Sequence, residues 1–117
     1  MEPKNELRIG NYVSIDGHSF QIEAAPQIDL VKSWQDCIKL TPEILEKYKD
    51  KSGVYYSIPY KKRFRYLYLK VSDDGIFYYV INGVEKRELY FVHNLQNLFY
   101  SLTGEELVLK HFKKPIP

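Results

Sequence analysis

The sequence predicts one α+β domain, in which an N-terminal β-hairpin joins an antiparallel β-meander that has two helices packed on its aliphatic face. Between residues 54 and 90, apolar and polar residues alternate between short loops of Gly, Asn and Asp, which is typical of antiparallel strands. From Phe91 to Leu102 the apolar residues recur instead at helical spacing. The 117 residues suffice for a single domain with one core, spanning residues 1–117.

The N-terminal hairpin is predicted from two strand-like segments around a tight turn. Residues 7–15 form the first segment and residues 19–23 the second, and Asp16-Gly17 between them suits a two-residue turn. Residues 24–40 follow no single period, so they fit a loop, a short strand or a broken helix equally well.

A first helix is predicted to begin at Thr41-Pro42, because Thr is a favoured N-cap and Pro loses no hydrogen bond at the first helical position. The helix continues to Tyr48 and ends before Gly53. Its buried side consists of Ile44, Leu45 and Tyr48.

A second helix is predicted over residues 91–102, with Gly104 as its C-terminal cap. Its buried stripe consists of Val92, Leu95, Leu98, Phe99 and Leu102. The residues predicted to lie away from this stripe are His93, Gln96, Asn97 and Tyr100. Residues 107–112 are predicted to add an edge strand.

Four strands are predicted in the meander, over residues 54–60, 63–71, 76–81 and 84–90. Pro59 assigns the first of them to a sheet edge. Residues 72–75 form a hairpin loop, and Asn82-Gly83 is the strongest short hairpin signal in the chain because both residues tolerate positive φ.

The loops decide which residues share a face of the meander, because side chains alternate between the two faces. A four-residue loop at 72–75 places Leu69 opposite Tyr78, and the turn at 82–83 places Ile76 opposite Leu89. The predicted core face then holds Leu67, Leu69, Val71, Ile76, Tyr78, Val80 and Leu89. The predicted aromatic face holds Lys62, Phe64, Tyr66, Tyr68, Lys70, Phe77, Tyr79, Ile81, Val84, Lys86 and Glu88.

The segment from Tyr60 to Lys70 reads YKKRFRYLYLK, with five basic and four aromatic residues in eleven. This mixture suits single-stranded nucleic acid, because rings stack on bases, each worth on the order of 1–3 kcal/mol, while cations contact phosphates. The residues predicted to bind nucleic acid or a partner are Lys61, Lys62, Arg63, Arg65, Tyr66, Tyr68, Lys70, Tyr79 and Lys86.

Two other interpretations of the same residues stay open. A protein partner would use the same tyrosines and arginines, which are typical anchors of interfaces. Alternatively, the N-terminal hairpin packs against the aromatic face and buries it, and the basic run is a solvated edge that prevents pairing between sheets.

No catalytic, metal or cofactor site is predicted, and the chain is expected not to be an enzyme. His18, His93 and His111 share no metal-ligand spacing, and a single cysteine argues against a zinc site. The sequence contains no Gly-rich phosphate loop. Cys37 is expected to be a buried thiol rather than a nucleophile.

The composition predicts a cytoplasmic protein that does not enter a membrane. One cysteine cannot form an internal disulfide, which fits a reducing compartment. The polar N-terminus has no apolar signal segment, and no run approaches the roughly 20 apolar residues of a membrane span.

Three segments carry a resemblance to a known family. They are residues 7–13 (LRIGNYV), 40–47 (LTPEILEK) and 92–107, in which VHNLQNLF is the most specific stretch. In this order the segments resemble a family of small uncharacterised proteins encoded in phages and prophages of bacteroidete bacteria. Residues 48–88, which include the meander, lie outside the resemblance.

The resemblance implies that the protein inhibits a defence system of the bacterial host. Small non-enzymatic phage proteins often inhibit host defence, and some of this size are anti-CRISPR inhibitors of RNA-targeting type VI effectors. It implies a phage-encoded binding protein, acting in the host cytoplasm, that occupies such an effector protein or its guide RNA without catalysis. The alternatives are a single-stranded nucleic-acid-binding accessory protein and a small structural or oligomerising phage protein.

Overall fold

The chain folds as the α+β architecture that the sequence predicts, in a computed structural model that describes residues 3–61, 65–81 and 84–109. The strands are β1 (Tyr12–Ile15), β2 (His18–Gln21), β3 (Tyr55–Tyr60), β4 (Arg65–Val71), β5 (Phe77–Ile81) and β6 (Val84–Leu89). The helices are α1 (Ala25–Ile28) and α2 (Val92–Thr103), and short 3₁₀ helices cover Pro3–Asn5, Trp34–Asp36 and Glu46–Tyr48.

The N-terminal hairpin is confirmed, with β1 and β2 antiparallel and Ile15 opposite His18. Asp16 and Gly17 form the turn with φ of 52° and 81°, the positive values that a two-residue hairpin turn of this kind needs. The strands are shorter than predicted. Before β1 the chain makes a turn instead, in which Asn11 N–H donates to Arg8 O at 3.1 Å.

The meander is a four-stranded antiparallel sheet in the order β3-β4-β5-β6, so β3 is an edge strand, as Pro59 predicts. Val71 N–H donates to Val54 O at 3.0 Å, and this pair sets which backbone groups of β3 point at β4. By alternation, Pro59 faces the outer edge, where its missing N–H removes no bond to β4.

The predicted register between β4 and β5 is wrong by one residue. Val71 pairs with Phe77, so the connecting loop has five residues, 72–76, instead of four. Backbone groups of Ser72 close this loop: the Ser72 carbonyl accepts from Gly75 N–H at 2.9 Å, and the Ser72 N–H donates to Ile76 O at 2.8 Å. Because side chains alternate, the shift exchanges the faces of β5.

The exchange places Phe77 and Tyr79 on the core side of the sheet, where Phe77 is fully buried and pairs with Leu89. The predicted places of both residues on the aromatic face are therefore wrong. Tyr78 and Val80 take the opposite side, and Ile76 lies in the loop rather than opposite Leu89.

The segment after Thr41 is a run of turns and a 3₁₀ helix rather than the predicted helix. Its hydrogen bonds span three residues, as from Leu45 N–H to Pro42 O at 3.1 Å. Isolated bridges tie both ends of the segment to the rest of the fold: Lys39 pairs with Phe91, the N-cap residue of α2, and Lys49 pairs with Tyr56 of β3. A 3₁₀ helix rises about 2.0 Å per residue and spans such a gap in fewer residues than an α-helix. Ile44 and Leu45 are buried, as predicted.

Helix α2 ends at Gly104, whose φ of 75° confirms the predicted cap. Val92, Leu95 and Phe99 are buried against the sheet, as predicted. The expectation for Leu102 is wrong, because it is 49 % exposed, and His93 and Gln96 are fully buried instead of lying away from the core. The sheet covers one side of α2 and the N-terminal segment covers another. The buried surface of α2 is therefore wider than a single apolar stripe.

The N-terminal hairpin packs on the helical side of the molecule. Strand β1 contacts α2 and the 3₁₀ helix at Trp34–Asp36, and a small core of Leu7, Val13, Ile22, Val31 and Cys37 fills the space beneath it. The interpretation in which the hairpin covers the aromatic side of the meander is therefore wrong. Of the predicted edge strand at 107–112, residues 107–109 form no strand, and the rest lies outside the described residues.

Candidate functional site

The side of the sheet opposite α2 is the candidate site, and we call it the front face. Alternation and register assign to it Tyr55, Ser57, Pro59, Tyr66, Tyr68, Lys70, Tyr78, Val80, Glu85 and Glu88. Tyr55, Tyr66 and Tyr68 are 40 %, 52 % and 49 % exposed. The front face thus presents rings to solvent, whereas Tyr56 and Leu69 on the other side are completely buried.

The two central tyrosines of β4 form a pair. Tyr66 and Tyr68 are two residues apart on one strand, and their ring centroids are 6.3 Å apart with an angle of 37° between the planes. Both rings are held by one short stretch of β4 backbone between two neighbouring strands. The pair is therefore a positioned apolar surface with hydroxyl groups at its rim.

Charges on the front face are paired rather than uniformly basic. Lys70 Nζ lies 3.1 Å from Glu85 Oε1 and 5.9 Å from the centre of the Tyr55 ring. The hydrogen bond that Lys70 donates to Glu85, together with the negative charge of Glu85, raises the pKa of Lys70. Glu88 adds a second carboxylate across from Tyr78. The centre of the front face therefore has mixed charge.

One end of the sheet carries two exposed basic residues. Arg65 and Lys61 are both exposed there, and Lys61 N–H donates to Glu105 Oε1 at 3.1 Å. A groove of about 560 Å³ runs beside them, lined by residues that include Tyr60, Arg65, Tyr66 and Tyr68. Lys62 and Arg63, predicted to belong to the site, lie outside the described residues.

The structure brings together only part of the predicted site. Tyr66, Tyr68 and Lys70 share the front face, and Lys86 is exposed as the extra residue of a β-bulge in β6. Tyr79 is on the other side of the sheet, packed against the core. Sequence reasoning missed Tyr55, Tyr78 and Glu85. The sequence contained a signal for Tyr55, because this residue alternates along the strand with the apolar residues Tyr56 and Ile58.

A second polar cluster, which we call the N-terminal clamp, joins residues 6–12 to α2. Gln96 is its centre: Tyr12 N–H donates to Gln96 Oε1 at 2.9 Å, and Gln96 Nε2 donates to Gly10 O at 2.8 Å. Asn11 Nδ2 donates to Asn97 Oδ1 at 2.9 Å, and Arg8 pairs with Glu106 at 2.6 Å. The clamp connects the first and last segments of the family resemblance.

The N-terminal clamp also contains a buried histidine. His93 Nε2 lies 2.8 Å from Glu6 Oε1, which also accepts from Asn94 Nδ2 at 3.1 Å. An ionised carboxylate only accepts, so His93 carries its proton on Nε2, and its buried Nδ1 has no hydrogen-bond partner among the described residues.

Burial and hydrogen bonding together set the charge states of His93 and Glu6. It lowers the pKa of His93 below the usual 6.5, against the opposing hydrogen bond and charge of Glu6. Burial by itself would raise the pKa of Glu6, but the hydrogen bonds of His93 and Asn94, with nearby Arg87, bring it below 4.5. At neutral pH the contact is a hydrogen bond from neutral His93 to ionised Glu6.

The remaining candidate groups are possible metal ligands and the single thiol, in the described parts of the chain. There, no three residues among His, Cys, Asp and Glu are grouped so that they could hold a metal ion. Burial, then the charges of Glu6 and Asp36, raises the pKa of Cys37 to about 11, so the thiol stays protonated at neutral pH. Within residues 3–61, 65–81 and 84–109, no helix is long and apolar enough to cross a membrane.

No protein-family model, no curated protein and no solved structure matches this chain.

Proposed function

We propose that the chain is a non-enzymatic binding protein that engages a protein partner with its front face. The observation that carries the proposal is a sheet face, uncovered by the hairpin or the helices, on which Tyr55, Tyr66 and Tyr68 are 40–52 % exposed. Clustered exposed aromatic side chains mark interaction sites, because a partner that covers them removes apolar area from water.

The charge pattern favours a protein over a polyanion as the first partner. Lys70 is neutralised by Glu85, and Glu88 places another carboxylate on the same face. Phosphates near these carboxylates would be repelled, whereas a basic protein surface would complement them. Proteins that hold RNA present such basic surfaces.

We further propose that the partner is an RNA-guided defence effector of the bacterial host, of type VI, and that the chain inhibits it in the host cytoplasm. The support is the resemblance of the terminal segments to small phage proteins, together with the acidic groups of the front face. Inhibition would follow from occupancy of the effector surface, without turnover.

Single-stranded RNA is the second candidate ligand. It is favoured by the Tyr66–Tyr68 pair, with ring centroids 6.3 Å apart, beside the exposed cations of Lys61 and Arg65. Rings at such a spacing can stack on bases while the cations contact phosphates. In this case the chain would bind the guide RNA, or any single strand, rather than the effector protein.

The test is an RNA-cleavage assay with a purified type VI effector–guide complex and increasing amounts of the protein. We expect cleavage to fall as the protein reaches equimolar amounts, and no fall with the Tyr66→Ala, Tyr68→Ala double variant. Full cleavage at large excess of wild type would contradict the proposed target. Fluorescence anisotropy of a free labelled single-stranded RNA, at two salt concentrations, separates the candidates. Binding that weakens steeply with salt would favour RNA as the ligand.

A further inference from the structure

His93 lies at the buried end of a column of three stacked rings. The Phe91 ring stacks on His93 with centroids 5.4 Å apart and planes 8° from parallel, and Trp34 stacks on Phe91 with centroids 5.3 Å apart. His93 is fully buried, whereas Trp34 is 36 % exposed. Because close packing surrounds the imidazole, it cannot reach water unless the segments around it move.

The hydrogen bonds of His93 suit the neutral ring and not the protonated one. Nε2 donates to Glu6 Oε1 at 2.8 Å, and the buried Nδ1 has no hydrogen-bond partner among the described residues. A second proton would make Nδ1 a charged donor at a place where the described residues offer no acceptor. A buried charge without full hydrogen bonding costs far more than a buried neutral acceptor.

The charged groups near the imidazole come from three segments. Glu6, in the N-terminal segment, attracts the protonated ring directly, but burial outweighs this attraction and lowers the pKa of His93. Arg87 of β6 acts on Glu6, and the thiol of Cys37 lies in the field of both Glu6 and Asp36. The net effect of these surroundings opposes protonation of the closed structure.

The segment that His93 holds is packed separately from the sheet. Glu6 precedes Leu7, which belongs to the small core beneath the hairpin, and that core is distinct from the main core between the sheet and α2. The other contacts of the N-terminal clamp are polar, with Gln96 at their centre. The N-terminal segment can therefore separate from α2 without opening the main core.

We propose that protonation of His93 opens the N-terminal clamp, so that residues 6–12 separate from α2 while the four-stranded sheet stays folded. In the open form the imidazole is hydrated and binds its proton with the usual pKa of 6.5, whereas the pKa in the closed form is lower. The closed form is therefore favoured above pH 6.5 and is destabilised as the pH falls toward the lowered value. The inference is independent of the proposed function, because the front face lies on the other side of the sheet.

The test is amide hydrogen exchange of the full chain, measured by NMR at pH 7.5, 6.5 and 5.5 and corrected for the intrinsic exchange rate. Tyr12 N–H, which donates to Gln96 across the clamp, reports local opening, and Leu69 in the central strand β4 reports the sheet. We expect a larger opening constant at Tyr12 than at Leu69 at every pH. The Tyr12 constant should rise about three- to sixfold from pH 6.5 to 5.5, and less than about twofold from pH 7.5 to 6.5.

Equal opening constants at the two amides would overturn the inference, because the clamp would then open only when the whole chain unfolds. A Tyr12 constant that stays level or falls in acid would overturn it as well, since the protonated imidazole would then be tolerated in the closed form.

Three variants assign the response to His93. His93→Gln keeps an amide donor for Glu6 but cannot be protonated, so its Tyr12 constant should change less than about twofold over the whole range. If that variant does not fold, Glu6→Gln provides the second test: it removes the charge that attracts the imidazolium, so the acid response should be at least as large as in wild type. His18→Gln, at an exposed position of the hairpin, is the control and should behave as wild type. An acid response that persists in His93→Gln, or that disappears in Glu6→Gln or His18→Gln, would contradict the role of His93.

Discussion

At the scale of single residues, the polar side chains of α2 are structural. Gln96 is fully buried; it accepts from the Tyr12 N–H and donates to the Gly10 carbonyl, which also accepts from Gln21 Nε2 at 3.0 Å. Spacing along the helix could not reveal this role, because it depends on a loop more than 80 residues earlier in the chain. The stretch VHNLQNLF at residues 92–99 thus contributes to the fold through its polar side chains.

Replacement of Gln96 by Leu should lower the free energy of unfolding by about 1–3 kcal/mol, because it removes both hydrogen bonds that this buried side chain makes to the backbone. Urea unfolding followed by circular dichroism measures the change. Ser101→Ala, at an exposed position of the same helix, is the control and should change stability by less than about 0.5 kcal/mol. Equal stabilities of the two variants would show that the N-terminal clamp contributes little.

The buried pair of His93 and Glu6 predicts that acid destabilises the fold. Since burial lowers the pKa of folded His93, its contribution is complete above pH 6.5 and is lost as the pH falls toward the lowered value. The lowered pKa of Glu6 removes further stability below pH 4.5. Urea midpoints should therefore fall between pH 7.5 and 5.5, and less so in His93→Gln. A midpoint that rises on acidification would refute the assignment of a neutral His93.

At the scale of elements, the strands and the main helix could be predicted, but the register of β5 could not. Residues 76–81 are all apolar or aromatic, so alternation does not indicate which side is buried. The assignment then depended on the length of the 72–76 loop alone, and one extra residue exchanged Phe77 and Tyr79 with Tyr78 and Val80. In β4, where Leu67 and Leu69 alternate with Tyr66 and Tyr68, the faces were predicted correctly.

Truncation of the exposed tyrosines of β4 and of the buried Tyr56 of β3 should lower the stability of the fold by different amounts. The Tyr66→Ala, Tyr68→Ala double variant should lose no more than about 1–2 kcal/mol, the range of cross-strand contacts for two half-exposed rings. Tyr56→Ala should lose about 3–5 kcal/mol, because it opens a cavity beside Phe77, 5.2 Å from the Tyr56 ring. Thermal unfolding of the variants measures both. Unfolding of the double variant would mean that the front face is part of the core.

At the scale of the whole molecule, the packing of the helices and the proposed binding surface lie on opposite sides of the sheet. The N-terminal clamp, the hairpin and α2 are on one side, whereas the exposed tyrosines face the other. The α+β architecture could be predicted from sequence because it depends on local periodicity. Which side stays open depends on where the hairpin docks, and that contact between β1 and α2 is too distant in sequence for local patterns to indicate.

The most direct test of this account is the dissociation constant of the protein for a purified type VI effector–guide complex, compared between wild type and the Tyr66→Ala, Tyr68→Ala variant. If both rings are anchors of about 1–2 kcal/mol each, the constant should rise by roughly 30- to 1,000-fold while circular dichroism shows an intact fold. An unchanged constant in a folded variant would contradict the claim that the front face is the contact surface.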